Sequence, residues 1–182
     1  MSATEMQKQT DDTPLPTSPE TVIELFDQLG IPYDLSHHKA VFTVAESEDV
    51  DAEIPGTHCR NMFLRDKKKK MFLLSLANET EVDMKKLPDV IGSGRLSFGS
   101  PDRLWENLGV RPGSVCPYSV INNTDKNVPL ILDAWMMEQE RVNFHPLINT
   151  MTIGTSPDAI IKFVEHLGHP YHILDLSPAK PD

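Results

Sequence analysis

Cysteine is scarce in this chain, and no hydrophobic stretch approaches the length of a membrane-spanning helix. The two cysteines, Cys59 and Cys116, form no zinc-binding or redox spacing, so we predict free thiols in a reducing compartment. The N-terminal segment MSATEMQKQTDD is polar and acidic and has no apolar signal region. We therefore expect a cytoplasmic protein that makes no membrane contact.

The common catalytic signatures are also missing. The sequence contains no P-loop, no G-x-G-x-x-G, no G-x-S-x-G and no H-E-x-x-H, which excludes the enzyme classes that those motifs define. His166 and His169 have the spacing H-x-x-H near a predicted helix end, but no further ligands lie at metal spacing. A helix-terminal role is favoured for both histidines, and we predict neither a metal nor another cofactor.

Positive charge is in the minority. The formal net charge is −10, which argues against non-specific nucleic-acid binding over the whole surface, because phosphate contacts need cations. One local basic cluster stands out, formed by Arg65, Lys67, Lys68, Lys69 and Lys70. The cluster is typical of a solvated hairpin tip, and it also suits a local phosphate contact on an acidic body.

Three predicted helices share the same start and stop signals. Each begins with Ser-Pro followed by an acidic residue, and each ends at glycine, over 18–30, 100–109 and 156–168. Apolar residues at helical spacing lie within each segment. A shorter helix is predicted over about 83–91.

Strand candidates occupy the middle of the chain and its end. They are Met62–Arg65, Met71–Leu76, Ser114–Val120, Val128–Ala134, Val142–Phe144 and Tyr171–Leu174. Strands do not alternate regularly with helices, which favours an α+β fold. We predict a disordered tail over 1–17, a single domain over 18–176 and a flexible C-terminus over 177–182.

Three segments suit an anionic ligand. Residues 55–64 (PGTHCRNMFL) deliver a cation and an amide into a strand, residues 92–99 (GSGRLSFG) contain three glycines, and residues 113–117 (GSVCP) run from glycine to proline. Together they offer backbone N–H groups and two arginines. They do not by themselves identify a reaction.

These segments, in this order, resemble the YbaK/ProX family of editing domains. The strongest matches are CRNMFLRDKK (59–68), GSGRLSFG (92–99), PGSVCP (112–117), INNT (121–124) and NFHPL (143–147). The resemblance covers about 20–175 and points to the free-standing Ala-tRNA(Pro) deacylase branch. It implies a single compact α+β domain whose mixed, largely antiparallel sheet is flanked by helices.

The resemblance also implies a function and a site. The chain would hydrolyse mischarged Ala-tRNA(Pro) in trans by water attack on the ester, with the acceptor end of tRNA(Pro) as its partner and prolyl-tRNA synthetase as a candidate second partner. Separately, we expect a monomer. The residues implied for the reacting site are Arg60, Asn61, Gly113, Ser114, Val115, Cys116, Pro117 and His145. Those implied for tRNA binding are Arg95, Lys67, Lys68, Lys69 and Lys70.

Two positions depart from the family pattern. The family carries lysine where this chain has Arg60, and close relatives tend to have threonine where it has Cys116. Arginine keeps the charge and can hold phosphate through two nitrogens, but it cannot accept a proton near neutral pH. A thiol at Cys116 has no evident base partner, which argues against a nucleophile.

Several alternatives stay open from the sequence. The alternative for Asn61 is a side-chain hydrogen bond that satisfies the backbone of a turn. For His145 it is a structural hydrogen bond in the core, and for Arg95 an ion pair with Asp83 or Asp89. Loss of the family lysine would fit a tRNA- or synthetase-associated binding protein with weak or lost catalysis. A deacylase for another small aminoacyl group is a third hypothesis.

Overall fold

A computed structural model describes residues 13–178. Its helices are α1 (Pro19–Leu29), α2 (Val44–Glu53), α3 (Leu87–Ile91), α4 (Pro101–Leu108), α5 (Ala134–Met137) and α6 (Pro157–His166), with a 3₁₀ helix over Pro117–Asn122. Its strands are β1 (Asp34–His37), β2 (Thr57–Asp66), β3 (Met71–Ala77), β4 (Leu96–Phe98), β5 (Leu130–Asp133), β6 (Val142–Phe144), β7 (Met151–Thr155) and β8 (Tyr171–Leu174).

All eight strands form one mixed sheet. The order is β1-β7-β6-β2-β3-β5-β8, and β4 pairs with β2 beyond the end of β6. The β1–β7, β6–β7, β2–β3 and β2–β4 pairs are antiparallel, whereas β2–β6, β3–β5 and β5–β8 are parallel. Helices pack against this sheet, so the prediction of a single α+β domain with a mixed sheet flanked by helices is confirmed.

The predicted helix punctuation is present. The Ser18 hydroxyl accepts a hydrogen bond from the Thr21 N–H, and the Ser100 hydroxyl accepts one from the Arg103 N–H. Gly30 and Gly109 end their helices with φ of 65° and 60°, a conformation that costs glycine little. Three of the helices therefore lie where the Ser-Pro and glycine signals predict them.

The predicted strand over 114–120 is wrong. The chain forms a 3₁₀ helix from Pro117 to Asn122 instead, and the Ser119 hydroxyl donates to the Cys116 carbonyl at 2.5 Å. Pro117 has no N–H to give to a sheet ladder, and its fixed φ suits the start of a helical turn. The helix predicted over 83–91 is confined to Leu87–Ile91.

Two apolar cores lie on opposite faces of the sheet, because successive strand residues point to opposite sides. The larger core contains Phe63, Leu73 and Phe144 and is packed by α1, α4 and α6. The smaller contains Met62, Leu64, Phe72 and Leu74 of β2 and β3, with Leu87 of α3. On that second face, toward β6 and β7, the sheet carries polar side chains, which border a cavity.

The predicted tail over 1–17 falls partly outside the described residues. Its described part, 13–17, contacts the domain: Leu15 packs on the larger core, and the Thr17 hydroxyl donates to Asn122 Oδ1 at 2.6 Å. Of the predicted flexible end, only 177–178 are described. Across residues 13–178, no helix has both the length and the apolar character that crossing a membrane requires.

Candidate functional site

A cavity of about 270 Å³ opens on the polar part of the sheet, with α2 along one side. Strands β2, β6 and β7 supply its sheet side, the loop 113–115 supplies another wall, and the segment 41–43 borders it. Its lining residues are Val41, Phe42, Thr43, Ser47, Asp51, His58, Cys59, Arg60, Asn61, Asn78, Gly113, Val115, Asn143, Phe144, His145 and Thr152.

The cavity gathers five of the eight residues predicted for the reacting site. Arg60, Asn61, Gly113, Val115 and His145 line it, although they come from three distant parts of the chain. Ser114, Cys116 and Pro117 are buried behind this surface and do not line it.

Arg60 is held by backbone carbonyl groups at the end of β3. Its Nη1 donates to the Ala77 oxygen at 2.8 Å and to the Asn78 oxygen at 2.9 Å, and its Nη2 donates to the Thr80 oxygen at 2.6 Å. Burial lowers the pKa of this guanidinium, while Asp133 opposes that shift. Arginine has five N–H donors, so two stay outside these three bonds. Arg60 thus fixes the 77–80 turn beside the cavity.

Asn61 points to the other face of β2 and links the sheet to the 113–117 loop. Its Nδ2 donates to the Val115 carbonyl at 2.8 Å, and its Oδ1 accepts from the Ser75 hydroxyl at 2.6 Å. Both ends of the amide are therefore committed within the protein. Asn61 positions the loop against β2.

Cys116 joins two loops from inside the core. Its side chain is fully buried, and backbone N–H groups that include that of Leu147 lie near its sulfur. Burial raises the pKa of the thiol to about 11, so it is protonated near neutral pH. Leu147 itself has φ of 69°, an uncommon conformation for a bulky residue. The thiol thus packs between the 113–117 loop and the turn after His145.

His145 is oriented by a short hydrogen-bond chain. Its Nδ1 lies 2.9 Å from the Met151 carbonyl oxygen, which makes Nδ1 the protonated nitrogen of the neutral ring and leaves Nε2 as an acceptor. Thr152 Oγ1 lies 3.4 Å from the same Nδ1 and 2.8 Å from His38 Nε2. The second nitrogen of His38 faces the Lys39 carbonyl at 2.8 Å. Burial lowers the pKa of His145, and His38 adds to that effect.

A second histidine borders the cavity. His58 Nδ1 lies 3.2 Å from Asp51 Oδ1, and its Nε2 lies 2.8 Å from the Ile54 carbonyl. His58 is opposite Asn143 of β6 in the sheet register, and the Asn143 amide donates to the Pro55 carbonyl at 3.0 Å. Sequence reasoning missed the roles of His38, Asp51 and Thr152, because no motif links residues that meet only through the sheet.

The residues predicted to bind tRNA lie elsewhere. Lys67–Lys70 form the exposed tip of the β2–β3 hairpin, and Arg95 is exposed immediately before β4. None of them lines the cavity. No group of three or more potential metal ligands occurs within 13–178, and His169 faces Asn123 Oδ1 at 3.2 Å.

Comparisons with known proteins agree on one family. A family model described as an aminoacyl-tRNA editing domain matches residues 38–163. The prolyl-tRNA editing protein ProX of Acetoanaerobium sticklandii is 34% identical over 158 residues, covering 86% of this chain and 96% of that protein. The prolyl-tRNA synthetase associated domain-containing protein 1 of Bos taurus is 34% identical over 152 residues, covering 81% and 88% of the two chains.

Solved structures share the fold at low sequence identity. One described as a candidate trans-editing enzyme for prolyl-tRNA synthetase has a TM-score of 0.65 and 17% identity, covering 89% of this chain and 99% of its own. A hypothetical protein designated APE2540 has a TM-score of 0.65 and 16% identity, covering 84% and 97%. At these identities the likeness establishes the fold alone.

Proposed function

The chain belongs to the aminoacyl-tRNA editing domain family, and on this premise we propose that it hydrolyses alanine mischarged onto tRNA(Pro), acting in trans. The observation that carries the proposal is the meeting of Arg60, Asn61, Gly113 and His145 around one small cavity. The residues come from segments that are distant in sequence. Their convergence supports a reacting site shared with the family.

The size of the cavity suits a small aminoacyl group. Its volume of about 270 Å³ falls just below the range of roughly 300–1,000 Å³ that is usual for sites holding drug-sized ligands. A synthetase pocket that holds proline cannot exclude the smaller alanine by size, and a methylene discriminates by only about 1–3 kcal/mol. An editing site that admits alanyl esters and excludes prolyl esters would correct this error.

The reaction is ester hydrolysis by water. The water oxygen bonds to the alanyl carbonyl carbon, the bond from that carbon to the ribose oxygen breaks, and a proton from water ends on the ribose oxygen. His145 Nε2 is the acceptor that we assign to the attacking water, since Nδ1 is directed at the Met151 carbonyl. The substrate's own hydroxyl helps to orient this water, and backbone N–H groups of the 113–117 loop stabilise the developing oxyanion.

Arg60 has a positioning role in this proposal. Three of its donor contacts go to the carbonyls of 77–80, so the guanidinium shapes the cavity wall and offers the substrate phosphate its remaining donors. The same contacts favour the alternative function, a binding protein without turnover. If the family lysine must be mobile or accept a proton, an arginine held by three carbonyls cannot replace it.

Steady-state deacylation of Ala-tRNA(Pro) tests the proposal, with prolyl, cysteinyl and seryl esters of the same tRNA as competitors. We expect multiple turnover with alanine favoured over proline. His145→Gln should abolish most turnover, whereas His37→Gln, at an exposed position on β1, should not. Tight binding of charged tRNA without turnover would establish the binding protein, and turnover of prolyl-tRNA at the alanyl rate would contradict the size argument.

A further inference from the structure

Phe98 is unusually exposed for an aromatic residue in a strand. Its side chain is 65% exposed, against 38–44% for the other exposed large hydrophobic residues within 13–178, which are Val90, Trp135 and Ile173. A single exposed apolar side chain is common on protein surfaces. Its surroundings therefore decide whether it has a function.

The backbone that carries Phe98 is fixed. Phe98 pairs with Leu64 of β2, and the next N–H, that of Gly99, donates to the Phe63 carbonyl at 2.9 Å. A Cβ at Gly99 would lie 2.5 Å from the Phe63 ring, so the chain approaches that ring as only glycine permits. An exposed ring on a fixed backbone loses little conformational entropy when a flat partner stacks on it.

Exposed cations adjoin the β2–β4 pair that carries this ring. Arg95 immediately precedes β4, and Lys67 begins the hairpin turn directly after Asp66, which pairs with Leu96. The chain carries ten net negative charges, which makes this concentration of cations a local exception. An aromatic ring beside a basic groove is the usual arrangement for binding single-stranded nucleic acid.

The ring lies a short distance along β2 from the cavity. Arg60 and Leu64 are four residues apart on one face of this strand, or about 13 Å at the usual rise. Between Cys59 and Met62 no described strand pairs with this edge of β2, because β6 pairs only with 57–58 and β4 only with 64–66. This separation corresponds to roughly two to four nucleotides of a single strand.

We propose that Phe98 is a stacking platform for one of the unpaired nucleotides that precede the terminal adenosine of the tRNA, while Arg95 and Lys67 contact the adjoining phosphates. The proposal rests on the proposed function, because the aminoacyl ester must occupy the cavity for the spacing to apply. Stacking tolerates any base, so this contact supplies affinity and aligns the 3′ end without selecting sequence.

A binding cycle tests the stacking contact without requiring turnover. The ligand is an uncharged hairpin with the tRNA(Pro) acceptor stem and its unpaired 3′ end, prepared intact and with an abasic site at each of the three nucleotides before the terminal adenosine. We expect Phe98→Ala to raise the Kd of the intact hairpin about tenfold, and one abasic site to do the same for the parent protein. Combining Phe98→Ala with that abasic site should raise the Kd no more than either change alone, since both remove the same contact.

Matched variants separate stacking from other effects. Phe98→Tyr should bind like the parent because it keeps a ring, whereas Phe98→Leu should bind like the alanine variant. Ile173→Ala removes an exposed side chain from β8, across the sheet, and should leave the Kd unchanged. Additive losses of affinity in the cycle, or an unchanged Kd for Phe98→Ala, would overturn the proposal. It would also be overturned if Phe98→Ala bound the RNA hairpin normally but lost binding to prolyl-tRNA synthetase.

The two proposals fail separately. Coupling between Phe98 and an abasic site, in a protein that does not hydrolyse Ala-tRNA(Pro), supports the platform and contradicts the deacylase. Turnover of Ala-tRNA(Pro) by a Phe98→Ala variant whose KM and Kd match the parent supports the deacylase and contradicts the platform.

Discussion

Arg60 Nη2 donates a hydrogen bond of 2.6 Å to the carbonyl oxygen of Thr80, twenty residues further along the chain. With the two bonds from Nη1, this contact makes one cation the shared partner of three carbonyl groups at the end of β3. Thr80 is buried and its hydroxyl donates to Asp133 Oδ2, so the turn is tied to the core. The arginine at this position therefore has a structural role besides any contact with substrate.

Arg60→Lys should lower the free energy of unfolding by about 1–3 kcal/mol, because a single ammonium cannot span three carbonyl groups and leaves buried acceptors unpaired. Urea denaturation measures the change. Arg95→Lys, at an exposed site, is the matched control and should leave stability unchanged. Equal stability of parent and Arg60→Lys would show that the three bonds contribute nothing net. If only the lysine variant hydrolyses Ala-tRNA(Pro), the parent is a binding protein.

Thr152→Val should reduce kcat by about 3- to 10-fold with little change in KM, because it removes the hydroxyl between His38 and His145 while keeping the volume of the side chain. Single-turnover deacylation at saturating enzyme measures the effect. Thr152→Ser restores the hydroxyl and should recover the parent rate. If Thr152→Val hydrolyses the substrate at the same rate as Thr152→Ser and the parent, the hydrogen-bond chain does not orient His145.

Local signals were enough to predict much of the fold. The Ser-Pro starts and glycine ends predicted α1, α4 and α6, and the lysine run predicted the turn between β2 and β3. Three strands and two helices were not predicted, which are β1, β4, β7, α2 and the four-residue α5. Strands β1 and β4 have only four and three residues, too few for an apolar alternation to show, and α2 has no wide apolar stripe. These elements are specified by pairing and packing with distant segments.

The site was predictable only where a motif supplied it. Asn61, His145 and the 113–117 loop came from the family resemblance, and the cavity brings together most of that set. The residues that orient His145 were not predicted, because Thr152 and His38 reach it only through the β1–β7 pairing. The sequence could also not show that Arg60 and Asn61, adjacent in β2, bond on opposite faces of the sheet.

Cys116→Thr should be tolerated and Cys116→Val should destabilise the protein by about 1–3 kcal/mol. Both side chains are β-branched and suit the extended backbone at this position, but only threonine keeps a polar atom near the buried N–H groups that now face sulfur. Thermal or urea unfolding of the pair measures the difference. Equal stability of the threonine and valine variants would show that the thiol acts only by filling space.

Replacing Lys67–Lys70 and Arg95 by alanine should weaken tRNA binding and reduce its dependence on salt. These cations are exposed and lie outside the cavity, so the chemical step on bound substrate should change little. Each phosphate contact that is lost lowers the slope of log Kd against log salt concentration by about one. Titration of tRNA(Pro) at several salt concentrations measures the slope. Unchanged affinity and slope would exclude this surface as the docking face.

Stability should decrease as the pH falls below about 6.5, the ordinary pKa of histidine. Burial lowers the pKa of His145 and of His169 in the folded protein, so below 6.5 the unfolded chain binds more protons than the folded one. The free energy of unfolding must then fall with pH until the folded-state pKa is reached. Urea denaturation at pH 7.5 and 5.5 should show a smaller loss in His145→Gln than in the parent, whereas His37→Gln, at an exposed site, should keep the parent's loss. An identical loss in His145→Gln and the parent would show that His145 does not titrate differently on folding.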